Sequence, residues 1–359
     1  MAQAEKLGKM TYEEALARIP HRAVPDFWVG DLEGIDRGVE RVTRGRVRTI
    51  ATSPGGRPVY LVTYGEREVW QRLANYNSAI GAREPGAFLA GDARSRPVVA
   101  FIGPVHAHET EGLTGLMNLV SVLETGRDLR GRAHATLRAL ADQCRLLILP
   151  CGNPDGLARF EPRLLNGLGL DDLRFWGQGT WADDTLCGWP GCKRVHPMRG
   201  DAVGFLGCYF NEAGINPMHD EFFAPMSDEV TAILQLAREE APDLAVSLHS
   251  HENPPALLRP AYVPLEVQTS VSELAAQTYV RFDAEGVRHG QLFEPSAELG
   301  PHPASFNLTS AIHHTSGATA FTFECPHGTC GDTAHKVSPE KILDIQLALY
   351  ESMLVRALS

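Results

Sequence analysis

The chain has 359 residues, 43% of them hydrophobic and 21% charged, a balance that excludes a disordered or fibrous protein and allows one large buried core or two smaller ones. Its formal charge of −11 gives no electrostatic reason to expect a nucleic acid or an anionic membrane as partner. The opening segment, MAQAEKLGKMTYEEALARIP, lacks the apolar stretch of a secretory signal, and no later run approaches the ~20 apolar residues of a membrane span, so a cytoplasmic location is expected.

Residues 1–45 mix short helical pattern with charge and Pro, and read as an N-terminal extension packed on a catalytic domain at 46–359. Arg46–Ala51 and Pro58–Tyr64 flank the turn Ser53-Pro54-Gly55-Gly56, which predicts a hairpin. A polar, Gly-rich stretch over 75–95 reads as a surface insertion, and Arg96–Gly103 as a buried strand bounded by Pro and Gly. Leu113, Leu116, Met117, Val120 and Leu123 recur at helical spacing. An Ala/Leu-rich helix at 133–142, a strand at Arg145–Leu149, a long Gly- and Trp-containing loop over 151–225, a helix at 227–241 and a strand at Leu244–Leu248 follow. Glu266–Ala284 predicts a helix, Ala318–Phe323 a strand, and Ser338-Pro339-Glu340 the capped start of a last helix. This alternation predicts an α/β fold: a mostly parallel, mixed central sheet with helices on both faces.

The seven cysteines imply no disulfide framework in a chain of this size. Cys187/Cys192 and Cys325/Cys330 share one spacing, wider than the usual structural zinc signature, and read as free thiols.

Three predicted strands end in residues that carry chemistry. In sheets of this kind, reactive side chains gather at the carboxyl ends of strands. The first runs out into Gly103-Pro104-Val105-His106-Ala107-His108-Glu109, where an imidazole and a carboxylate three apart can reach one ion. The second ends in His249-Ser250-His251, a distant third ligand. Two His and one Glu around zinc leave a position for water, the arrangement of a hydrolytic site. His106, Glu109 and His249 are preferred as ligands over His108, Glu111 and His251, which read as supporting or solvent-facing neighbours. The third strand, Ala318–Phe323, ends in Glu324; a carboxylate there either forms a structural ion pair or takes a proton from a zinc-activated water and returns it to the leaving amine.

Together these residues resemble the zinc metallocarboxypeptidases, the family of carboxypeptidases A and B, over roughly residues 46 to 356, as a divergent bacterial-type member. His106–Glu109, His249-Ser250 and Phe321-Thr322-Phe323-Glu324 look like the family's ligand pair, third ligand and catalytic glutamate, and Asn153-Pro154-Asp155-Gly156 is similar to a turn that family members carry. The resemblance implies one catalytic zinc per chain and hydrolysis of a peptide bond beside a free carboxylate, with Glu324 as catalytic base. The family's Asn-Arg pair for that carboxylate corresponds to Asn216-Pro217, so Asn216 fits and the arginine is missing. An oxyanion-stabilising arginine is expected after the Asn-Pro-Asp-Gly turn; among Arg159, Arg163, Arg174, Arg194 and Arg199, Arg163 is chosen. The family's mobile tyrosine has no counterpart, since His302, His313 and His314 occupy that region. Trp176, Trp181 and Trp189 either read substrate shape or pack as a lid.

The expected function is therefore zinc-dependent cleavage of a peptide or amide bond, without nucleic acid or membrane as partner. The enzymatic alternative is a deacylase of the aspartoacylase and succinylglutamate desuccinylase type, and a third reading is a non-catalytic protein that holds a carboxylated ligand.

Overall fold

The computed structural model describes residues 7–21, 23–69, 71–89, 94–298, 304–329 and 336–359. The strands are β1 (Arg46–Thr52), β2 (Pro58–Tyr64), β3 (Val98–Ile102), β4 (Arg145–Leu149), β5 (Gly179–Trp181), β6 (Val203–Leu206), β7 (Leu244–His251), β8 (Ala256–Leu257) and β9 (Thr319–Pro326). Seven of them form one mixed sheet in the order β1-β2-β4-β3-β7-β9-β8, and β5 pairs with β6 apart from it. The four central strands, β4, β3, β7 and β9, run parallel, while β1, β2 and β8 join antiparallel at the edges.

Alternation along the central strands sorts side chains between two helical layers. Val99, Phe101, Leu146, Ile148, Leu244, Val246, Leu248, Phe321 and Phe323 face the helices Thr110–Thr125, Leu265–Ala284 and Pro339–Leu358. Val98, Ala100, Ile102, Leu147, Leu149, Ala245 and Ala320 face the helices Asp228–Glu240 and Leu308–Ser316. Strands covered on both faces need apolar residues at every position, and that is why β3 and β4 appear in the sequence as unbroken apolar runs. Arg145 at the start of β4 is the exception, and its guanidinium is paired with the buried Glu240 carboxylate at 2.8 and 3.1 Å.

The helix ends follow their sequence signals. Ser227 and Ser338 cap the helices Asp228–Glu240 and Pro339–Leu358, and Gly126, at φ 80°, ends Thr110–Thr125 in the left-handed conformation that glycine adopts without steric cost. The N-terminal segment contributes Met10, Ala15, Phe27, Trp28, Ile35 and Val39 to the same buried cluster as the strands. Gly30 lies so close to this domain that a Cβ would stand 2.1 Å from the Arg163 carbonyl oxygen.

The 75–95 stretch contains the helix Tyr76–Gly81, which packs with Phe88 and Ala241. The 151–225 region is more ordered than a loop, with helices Pro154–Ala158 and Leu170–Gln178 and the β5/β6 pair. Its Asn-Pro-Asp-Gly turn is a structural clamp. Asn153 caps Pro154–Ala158, and the buried Asp155 accepts hydrogen bonds from Ser53 Oγ, the amides of Gly55 and Glu212, and Arg57. All six cysteines described are free thiols; Cys330 lies outside the described residues. Among the described residues, no helix is long and apolar enough to cross a membrane.

Candidate metal centre

The same alternation that builds the core aims the polar ends of β7 and β9. With Leu244, Val246 and Leu248 on one face, Ser247, His249 and His251 fall on the other; on β9, Phe321 and Phe323 leave Thr322 and Glu324 on that second face. His249 and Glu324 are directly paired in the parallel register, so their side chains stand together at the carboxyl edge of the sheet. β3 ends just before His106, and Glu109 stands immediately before the helix Thr110–Thr125.

His106, Glu109 and His249 are all buried, and one ligand atom from each lies within 4.8 Å of the others. His106 Nδ1 is 3.1 Å from Glu109 Oε1, and His249 Nδ1 is 2.9 Å from Glu109 Oε2. The far nitrogen of each ring also has a partner: His106 Nε2 is 3.2 Å from Asn216 Oδ1, and His249 Nε2 is 3.1 Å from Ser247 Oγ. With each Nε2 turned to an oxygen partner, both Nδ1 atoms face the Glu109 carboxylate. That is the orientation a divalent cation needs, so the residues fit zinc. Tyr209 stacks flat on His106 at 3.6 Å and fixes the plane of the ring. Burial alone would raise the Glu109 carboxyl, but His106 and His249 outweigh it and hold it well below the usual range, ionised and ready to ligate.

The three residues open onto a cleft of about 590 Å³, lined also by Glu324, Gln178, Trp189, Lys193, Tyr209, Thr322 and Arg174. Burial pushes the Glu324 carboxyl above its ordinary value, an effect only partly offset by His249 and His251. Such a shift moves a carboxylate toward the range in which it can both take and return a proton near neutral pH.

Residues 40–254 match the Peptidase_M14 family, described as zinc carboxypeptidase. The chain belongs to the zinc carboxypeptidase family. It is thus a metallopeptidase-type hydrolase whose metal is zinc, and the fold agrees. A metallo-carboxypeptidase from Burkholderia cenocepacia superposes with a TM-score of 0.54 at 18% identity, over 90% of this chain and 68% of that one. Carboxypeptidase A from Helicoverpa armigera gives 0.54 at 15% identity, over 96% and 77%. A Pseudomonas aeruginosa metallo-carboxypeptidase, in complex with (2-guanidinoethylmercapto)succinic acid, gives 0.51 at 15% identity, over 90% and 68%. No curated protein matches the chain by sequence.

Two expected site residues are placed away from the cleft lining. Arg163 does not line the cleft. It has a left-handed backbone, φ 60°, its carbonyl accepts from Trp28 Nε1 and Thr110 Oγ1, and its guanidinium lies 2.6 Å from Asp31. Among the described residues Arg174 is the arginine that reaches the cleft, with a 2.9 Å contact to Asp171. Asn216 is buried against His106, and its Oδ1 also accepts from the Met218 amide at 3.0 Å.

The cleft's other cation is Lys193, which lies over the Trp189 ring and donates to His219 Nε2 at 2.8 Å. A lysine inside the long Gly-rich loop carried no sequence signal. Tyr209 supplies a cleft tyrosine from that same loop region, not from the segment before Glu324. His313 is tied to the Ala318 carbonyl and Tyr76, and His314 to the Tyr262 carbonyl, so both serve packing; His302 lies outside the described residues. The tryptophans divide as well. Trp176 is fully buried among Phe160, Phe175 and Phe205, Trp181 packs on the β5/β6 cluster, and Trp189 is exposed at the cleft.

Proposed function

We propose that this chain is a carboxypeptidase-like hydrolase that cleaves a peptide or amide bond next to a free carboxylate, with His106, Glu109 and His249 as the zinc ligands and Glu324 as the proton carrier. The observation that supports this most is the register of β7 and β9, which sets the Glu324 carboxyl beside His249 on the face that opens to the cleft. Zinc, when bound, supplies Lewis acidity toward the scissile carbonyl and makes water more acidic. Glu324 accepts the proton of the attacking water as the C–O bond forms, then delivers it to the departing nitrogen as the C–N bond breaks. Lys193 and Arg174, the basic residues lining the cleft, take the place of the absent Asn-Arg pair in holding the substrate's carboxylate.

The test is a panel of N-blocked dipeptides set against N-acyl amino acids, each with zinc-loaded and chelator-treated protein. Turnover of the dipeptides that returns on adding zinc back supports the reading. Turnover confined to N-acyl amino acids supports the deacylase instead, and zinc binding with no turnover of either supports a ligand-holding protein.

A further inference from the structure

Beside the metal ligands, on the face of β7 that carries Leu248, a second set of polar groups is buried without a role in the chemistry above. Glu111, in the first turn of Thr110–Thr125, is completely buried, and its Oε1 lies 3.2 Å from Nδ1 of the equally buried His327. Burying such a pair costs desolvation that the mutual attraction offsets only when the remaining donors and acceptors are used. Here they are not. Glu111 Oε2, His327 Nε2, His108 Nδ1 and Ser250 Oγ are all buried and have no hydrogen-bond partner among the described residues. Unpaired buried polar atoms are rare and costly, so four in one neighbourhood need an explanation.

Three of these residues, His108, Ser250 and His327, line the cleft together with the metal ligands. The His108 and His327 rings are 5.8 Å apart. A second metal is not the explanation, because among the described residues only His106, Glu109 and His249 converge closely enough to hold one. A purely structural ion pair is not sufficient either, since it would not leave Ser250 and His108 unsatisfied on the cleft side.

We propose that His327, with Ser250 and His108 beside it, forms a hydrogen-bonding subsite for an acceptor oxygen of the bound substrate, a carbonyl or carboxylate, and that Glu111 positions the His327 ring. The donor sense follows from the pairing: Nδ1–H is given to Glu111, and the carboxylate favours an imidazolium that presents Nε2–H to the cleft. Burial pulls His327 down, but the Glu111 carboxylate prevails and raises it, in agreement with that sense. The subsite rests on the hydrolytic reading of the cleft and adds a specificity element to it.

The experiment uses the full-length, zinc-loaded enzyme with N-benzoylglycyl-phenylalanine. His327→Leu is expected to lower kcat/KM by roughly ten- to a hundredfold, the range for a charge-assisted hydrogen bond, with zinc content unchanged and Tm lowered because Glu111 loses its partner, whereas His327→Gln, which keeps a donor toward Glu111, recovers Tm and part of kcat/KM. Glu111→Gln raises KM more than it lowers kcat, and the double variant with His327→Leu loses no more than His327→Leu alone. Equal kcat/KM in wild type and His327→Leu, losses that simply track Tm, or additive losses in the double variant overturn the proposal. If the wild type cleaves no peptide, the hydrolytic reading fails on its own, and the subsite is judged by ring ¹⁵N signals during a benzoylglycine titration. Movement of the His327 Nε2 signal supports it; a fixed signal at millimolar ligand overturns it.

Discussion

Replacing Asn216 by Ala removes the oxygen that both orients His106 and caps the short turn at Pro217–His219. Asn216 is 2% exposed, so water does not readily substitute for the lost acceptor. Removing such a support behind a ligating histidine typically costs about ten- to a hundredfold in metal affinity, or ~1.4–2.7 kcal/mol. Loss of the Met218 amide's partner adds about 1 kcal/mol of instability, which is present with or without metal. The two effects separate when zinc affinity is measured by competition with a chromophoric chelator and Tm is measured on the metal-free protein. Asn216→Asp, which keeps an acceptor at the same place, should restore most of both. Zinc affinity within twofold of wild type in Asn216→Ala, alongside a lowered metal-free Tm, would refute the claim that Asn216 holds a ligand.

Other outcomes follow from the same structure. Asp155→Ala strips four donors of their shared acceptor at the join between the β1–β2 turn and the loop before the metal centre; chemical denaturation should show a loss of about 2–4 kcal/mol, and less than 1 would count against the clamp. Lys193→Met should raise KM for carboxylate-bearing dipeptides roughly tenfold and leave C-terminally amidated ones unaffected, read by steady-state kinetics; equal effects on both would remove Lys193 from carboxylate recognition. Burial pushes the Glu229 carboxyl up to about 7, so the folded state holds its proton more tightly than the unfolded state. Stability from this group is fully present below about pH 4.5 and is lost as pH rises to about 7, by roughly 3 kcal/mol at most. Glu229→Gln should therefore gain on wild type as pH climbs from 5 to 7 and not beyond, as followed by Tm against pH.

Much of the fold was legible because periodicity and punctuation agreed. The β1–β2 hairpin, the buried runs of β3 and β4 and the Ser338-Pro339 helix start all form where the sequence indicates. β8 is two residues long, too short for any period to register. The helix Leu308–Ser316, rich in Thr, Ser and His, has weak intrinsic preference and is held by its Asn307 cap and the burial of Leu308, Ala311 and Ile312.

The metal centre was legible for a different reason: its residues sit at strand ends, where the pleat dictates direction. Arg163 and Asn216 lie in irregular segments, and there a sequence offset says nothing about where a side chain turns. A left-handed backbone sends Arg163 to Asp31, and a cap sends Asn216 under His106. His327 directly follows β9, three residues beyond Glu324, where a lone histidine after Cys-Pro carries no spacing signal of its own.

The central claim is that Glu324 moves the proton while His106, Glu109 and His249 hold the zinc. Its most direct test is Glu324→Gln, assayed for bound zinc and for dipeptide hydrolysis in the same sample. One zinc per chain with hydrolysis reduced at least a thousandfold is the predicted result; hydrolysis within tenfold of wild type with zinc bound would contradict it.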